Sequence, residues 1–280
     1  MESTELELRE EHLAACLALS KSAHWNQNEA DWRLMLGLGR GWGVMLADGT
    51  LAATTVVLPY GSFAWVSMVL VLPEHRGKGH ATRLLRVALT DLKNRALTPI
   101  LDATPAGHEV YVQEGFRDTW SFKRFALDLP ANGLSSSAKV REITNADWAG
   151  VLRLDASAFG ARRECVLRDL AARLPQAALL AETDGEIAGF VLGRDGREAR
   201  QLGPLVARNA QAATDLLDAA MNRVEIPVYI DIADHAPSLQ SRAQQRGFEI
   251  QRPFTRMVHG ERHAPGETAL VFCPAGPELG

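Results

Sequence analysis

Apolar residues along this chain change period abruptly, and the changes mark out its elements. Residues 66–72 are a run rich in branched apolar side chains closed by Pro73, the pattern of a buried strand that has to stop. From Ala81 the apolar positions fall at helical spacing (Ala81, Leu84, Leu85, Ala88, Leu89, Leu92), with Arg83, Arg86, Asp91 and Lys93 between them. That spacing predicts a helix with one apolar face. Upstream, residues 6–9 read as a short strand and 10–20 as a helix turning Leu13, Cys16, Leu17 and Leu19 inward. A second helix runs through Trp32, Leu34, Met35 and Leu38. Residues 43–46 and 51–58 flank Asp48-Gly49, a two-residue turn signal, and predict a hairpin. Downstream come a strand at 99–103, a short helix at 107–113 ending at Gly115, whose position suits a C-terminal cap, and a closing strand or hairpin at 116–127.

The pattern then starts again. Residues 129–139, LPANGLSSSAK, are rich in Pro, Gly and Ser without periodicity and read as a linker. A strand at 140–143 follows, then a capped helix start at 144–147 with Trp148, Val151, Leu152 and Leu154 inward. Residues 179–182 and 187–192 repeat the hairpin around Asp184-Gly185, and 268–273 form one more strand. Set 132 residues apart, Arg76 matches Arg208, Ala81 Ala213, Leu84-Leu85 Leu216-Leu217, Gly115-Phe116 Gly247-Phe248, Phe122 Phe254, and Arg124 Arg256. This is an internal duplication, expected to divide the chain into a domain at 1–128, the linker, and a second domain at 140–280.

Between the 66–72 strand and its helix lies Arg76-Gly77-Lys78-Gly79-His80-Ala81. A glycine-rich turn in this place aims free backbone N–H groups and the positive end of the helix dipole at one point, which suits phosphate. Gly77 and Gly79 remove the Cβ atoms that would hold an oxygen away and tolerate positive φ. Arg76 and Lys78 add positive charge. Neither the nucleotide P-loop nor the dinucleotide fingerprint fits the spacing.

The stretch resembles the acyl-CoA loop of the GNAT superfamily of N-acetyltransferases, whose signature Arg/Gln-x-x-Gly-x-Gly/Ala is carried here by Arg76, Gly79 and Ala81. Its context agrees: Val69, Val71 and Pro73 before it, Leu84-Leu85 after it, and Tyr111 to Phe116 as Tyr-x-x-x-Gly-Phe. The resemblance implies an α/β fold of two tandem GNAT-like domains, each a mixed, mostly antiparallel sheet flanked by helices. It implies that Arg76, Gly77, Lys78, Gly79, His80, Ala81 and Thr82 hold the pyrophosphate of acetyl-CoA, that the backbone of Val69, Leu70 and Val71 pairs with the pantetheine arm, and that Tyr111 is the general acid for the leaving thiolate. His24, Trp25 and Trp32, from the early helical region, are its acceptor-side candidates. In the second copy Asn209, Ala210 and Gln211 stand against Gly77, Lys78 and Gly79, and Ala243 against Tyr111, which implies a divergent domain without CoA binding.

Composition narrows the picture a little further. A chain of 280 residues with 46% hydrophobic and 23% charged residues can bury two cores, and a net charge of −4 argues against a general nucleic-acid binder. Cys16, Cys165 and Cys273 have no metal-ligand spacing and read as reduced, packed thiols; no metal is expected. The acidic, polar start is no signal peptide and no apolar run reaches membrane-spanning length, so a cytoplasmic protein without a membrane partner is the expectation.

Together these readings predict an enzyme that moves an acetyl group from acetyl-CoA to a primary amine of a small molecule or a peptide N-terminus. The alternative is an acyl-CoA-binding sensor or scaffold without turnover. Glu74, Glu109 and His24 are the candidates for the base. The acceptor's identity and the oligomeric state are not legible.

Overall fold

A computed structural model describes residues 3–129, 140–260 and 263–280, so the expected linker, apart from Leu129, lies outside the described residues. The first half runs β1 (Ser3–Glu7), α1 (Leu13–Ser22), α2 (Glu29–Leu38), β2 (Arg40–Leu46), β3 (Leu51–Tyr60), β4 (Phe63–Val71), α3 (His80–Asn94), β5 (Thr98–Ala103), α4 (Pro105–Gln113) and β6 (Phe116–Leu127). The second runs β7 (Val140–Glu142), α5 (Trp148–Phe159), α6 (Glu164–Arg173), β8 (Leu179–Thr183), β9 (Glu186–Arg194), β10 (Arg200–Ala207), α7 (Ala210–Met221), β11 (Val228–Ala233), α8 (Pro237–Gln245), β12 (Glu249–His259) and β13 (Val271–Cys273). Residues 10–12 form a 3-10 turn rather than the start of α1, and 268–270 another ahead of β13.

All the strands belong to one sheet, in the order β1-β2-β3-β4-β5-β12-β6-β11-β10-β9-β8-β7, with β13 beside β10. The last long strand of each half has crossed over. β12 lies antiparallel between β5 and β6, and β6 lies antiparallel between β12 and β11. Phe122 and Phe254, equivalent by the duplication, face each other across the β6–β12 pair, their rings stacked at 5.0 Å. The duplication therefore becomes an approximate two-fold axis through the middle of the sheet.

Matched ion pairs hold the crossing on both sides of that axis. Arg124 on β6 donates to Asp231 on β11 through Nε and Nη2, both at 2.8 Å. Its repeat, Arg256 on β12, donates to Asp102 on β5 at 2.9 and 3.0 Å. These side chains are buried, and bidentate geometry is what makes a buried pair tolerable. Each guanidinium also lies over aromatic rings: Arg124 over Tyr229 and Phe254, Arg256 over Trp65 and Trp120.

Three clusters make the core. One is shared by the halves and joins α1, α2, β3 and β4 to α5, α6 and the tail residues Ala275 and Leu279. The others are separate: α3 against β2–β5, and α7 and α8 against β8–β11. Residues 274–280 cross back onto the first half, where Trp65 Nε1 donates to the Pro277 carbonyl at 2.9 Å and Tyr60 Oη to that of Leu279 at 3.1 Å. Cys16 and Cys273 are buried, but Cys165 is exposed. The expectation of three packed thiols fails there because Cys165 falls on the outer face of α6, away from Val166 and Leu167. Among the described residues no helix is long and apolar enough to cross a membrane.

Candidate active site

β4 pairs in parallel with β5 only where Phe63, Ala64 and Trp65 meet Thr98, Pro99 and Ile100. Beyond Trp65 the two strands part, leaving the edge of residues 66–71 that faces β5 without a strand partner. On its other edge β4 stays on β3, with a register shift between Thr54 and Val56. At that irregularity Met68 takes a φ of 52°, held by Thr54 Oγ1, which donates to the Met68 carbonyl at 2.8 Å.

Eight residues then lead from β4 into α3. Gly77 and Gly79 adopt left-handed φ values of 72° and 78°, and a Cβ at either would meet nothing within 4 Å. Glycine is needed here for backbone conformation and open approach, not for packing. Among the described residues no hydrogen bond uses the amides of residues 77–82, and the first bond of α3 is from Arg83 N to the Gly79 carbonyl at 3.0 Å. Arg76, Gly77, Lys78 and Gly79 are exposed, and His80, Ala81 and Thr82 half-buried. Burial, then the nearby Arg83, His75 and Lys78, pull the His80 pKa down. A row of free donors at a helix N-terminus, beside Arg76, Lys78 and Arg83, has the geometry and charge that suit an anion.

The gap between β4 and β5 opens into a narrow cleft whose wall includes Val66, Val69, Leu101, Thr104 and Tyr111. Tyr111 comes from α4, and its ring lies across Gly107 one turn earlier, where an added Cβ would stand 2.9 Å from Cε2. Phe116 meets the ring edge-on at 5.9 Å. The hydroxyl has no hydrogen-bond partner among the described residues, and burial pushes its pKa up to about 12. It is a proton donor held intact at neutral pH.

Of the acceptor-side candidates, Trp25 lines this cleft with Gln27. Trp32 does not: it is fully buried in the shared core, with its indole N–H on Ser20 Oγ at 3.0 Å. His24 is exposed at a turn with φ 53°. Neither His24 nor Glu74 nor Glu109 is among the cleft residues. The rest of the wall comes from places that the chain order does not suggest: Asp102, Arg124, Arg252 and Phe254 from the exchanged region, and Pro277 and Glu278 from the tail.

The second half has the same strand–helix junction without the opening. Ala210 and Gln211, which match Lys78 and Gly79, are already the first turn of α7, and Asn209 caps that turn by accepting from Ala212 N at 2.9 Å. β10 and β11 also part after a short parallel stretch, Arg200–Leu202 against Val228–Ile230. Here the gap is filled: β13 lies antiparallel on β10, with Cys273 opposite Leu205 and Val271 opposite Val206. Ala243, at the position of Tyr111, is wholly buried.

The chain is similar to known proteins. Residues 6–116 match the Acetyltransferase (GNAT) family and residues 151–273 the Acetyltransferase (GNAT) domain. An uncharacterised N-acetyltransferase of Bacillus subtilis, YitH, is 23% identical over 246 residues, 87% of this chain and 86% of that one. A Pyrococcus horikoshii protein assigned to the acetyltransferases superimposes with a TM-score of 0.81 at 19% identity, covering 99% of this chain and 96% of that one. A tandem GNAT protein from the clavulanic acid biosynthesis pathway does so with a TM-score of 0.63 at 17% identity, over 93% of this chain and all of its own. Two family matches on the two repeats, on a fold shared end to end with a tandem relative, place this chain in the GNAT superfamily as a tandem-domain, acyl-CoA-dependent acetyltransferase.

Proposed function

We propose that the first half transfers an acetyl group from acetyl-CoA to a primary amine of a small molecule, and that the second half binds no CoA. The observation that carries the reading is that β4, whose unpaired edge lines one cleft with an unpartnered Tyr111 hydroxyl, runs on directly into an open glycine loop. The amides of residues 77–82 would take the pyrophosphate, with Arg76 and Lys78 at the mouth. The free edge of Val69, Leu70 and Val71 would take the pantetheine amides as an added strand does.

Acetyl-CoA supplies an activated acyl carbon: the amine nitrogen bonds to it as its bond to sulfur breaks. Tyr111 gives its phenolic proton to the departing sulfur, and the proton that the nitrogen gives up passes to solvent, from which the Tyr111 phenolate is reprotonated, so amine and thioester become amide and thiol with no net change in protons. In the second half Asn209 has taken the helix N-terminus and β13 the strand gap, which supports a domain that shapes the cleft and carries no donor. A supply of acetyl-CoA and three free cysteines fit a cytoplasmic setting.

The sensor alternative gives no account of an intact Tyr111 on an open cleft. The two are separated by incubating the full chain with acetyl-CoA and a panel of amines, following thiol release and product mass. Acetylated product supports transfer; binding with no product from any amine would favour the sensor.

A further inference from the structure

Three polar atoms of the cleft wall are buried without a partner in the protein: Gln27 Oε1, Glu278 Oε2 and Arg252 Nε. Buried polar groups are normally satisfied, and each exception asks what meets it. The three residues that carry them line one cavity with Tyr111.

The charges are equally lopsided. Arg124 has Asp231, Arg256 has Asp102, and Arg194 has Asp31 and Glu278. Arg252 has no carboxylate within salt-bridge distance among the described residues; it rests on the ring of Phe254, 5.2 Å away. Burial and then the neighbouring Arg124 pull its pKa down to about 10, which still leaves it cationic at neutral pH. Glu278 cannot swing across to it. Its Oε1 is held by Arg194, itself fixed by Asp31 at 2.8 Å, and the tail beside it is tied to Trp65 and Tyr60.

We propose that the acceptor is a primary amine that also carries a carboxylate, its amine received by Gln27 Oε1 and Glu278 Oε2 and its carboxylate by Arg252. This rests on the acetyl-transfer reading and names its substrate class. Two accepting oxygens suit a nitrogen with more than one N–H. A guanidinium without a counter-ion suits a planar monoanion. A dianionic phosphate would bring a second negative charge beside Glu278, where Arg252 is the cation left without a carboxylate among the described residues.

The test uses the full chain with saturating acetyl-CoA and a series of ω-amino acids of increasing length, each paired with its methylamide and its aminophosphonate. Thiol release gives kcat/KM. At the best length the acid should exceed its amide by roughly 10–100-fold, the range expected for a charge-assisted contact, and should also exceed the phosphonate. Arg252→Gln should raise KM for the acid and bring the acid-to-amide ratio close to one, while Arg252→Lys should keep part of the preference. The ratio is internal to each variant, so poor folding cannot imitate its loss. Amides or phosphonates used as well as acids, or a preference that survives Arg252→Gln, would overturn this inference and leave acetyl transfer standing. No thiol release with any amine would overturn both.

Discussion

The junction between β4 and α3 and the junction between β10 and α7 are two versions of one piece of chain. Each joins a strand that leaves its neighbour to a helix whose Leu-Leu pair is fully buried: Leu84-Leu85 in one, Leu216-Leu217 in the other. The first leaves its amides and its strand edge open; the second closes both from within. Asn209 caps the helix, Ala210 and Gln211 extend it backwards, and β13 fills the gap. On the proposed reading, the open donors are those that a ligand will meet. In the second half the chain satisfies its own backbone.

The comparison breaks most sharply at Tyr111, whose counterpart is Ala243. Tyr111→Phe is expected to lower kcat by roughly 10²–10⁴ fold, with acetyl-CoA affinity little changed; steady-state kinetics beside a binding titration check it, and an equal rate removes Tyr111 from the mechanism. Because its pKa lies near 12, the donor stays protonated at ordinary assay pH. The same shift has a consequence for stability. The unfolded phenol ionises at about 10, so its contribution is complete below that and is lost as pH rises toward the folded value. Chemical denaturation across the alkaline range should show this decline in the wild type and less of it in Tyr111→Phe.

Next in size are the crossing pairs. Asp231→Ala leaves Arg124 buried alone and should cost about 3–5 kcal/mol; Asp102→Ala should cost about the same by symmetry. Urea midpoints compare them. Asp102 lines the cleft itself, and Asp231 holds Arg124, which also lines it, so both variants should change the kinetics of the folded fraction. A large difference in the two stability losses would show that the two-fold axis is not energetic.

Exchanging the loop chemistry gives smaller effects in opposite directions. Gly79→Asn brings a capping side chain into the open loop and should weaken acetyl-CoA roughly 10–100-fold, the loss expected for one or two bonds to a charged group, with the melting temperature nearly unchanged. Asn209→Ala should do the reverse. It should cost about 1 kcal/mol of stability and leave acetyl-CoA affinity where it was.

Much of this is legible in the sequence. Periodicity marks α3, the Asp-Gly turns mark both hairpins, and the interval between Arg124 and Arg256 marks the repeat that became the axis. The strand exchange is not, because β6 and β12 carry patterns that suit either neighbour, and which strand pairs with which is decided by distant contacts. The burial of Trp32 is not either: an aromatic at helical spacing fits a pocket or a core equally well. Arg252 and Glu278 gave no signal of their own. The repeat of Arg252 is Trp120, and Glu278 stands in a short Gly-Pro tail that only the fold brings back over the cleft.

Because β12 sits between strands of the other half, the two sites are compared within the intact chain. The most direct measurement is calorimetric titration of the full chain with acetyl-CoA, in the wild type, Gly79→Trp and Asn209→Ala. The account predicts one equivalent bound in the wild type, none in Gly79→Trp and one in Asn209→Ala. Two equivalents, or one that survives Gly79→Trp, would contradict it.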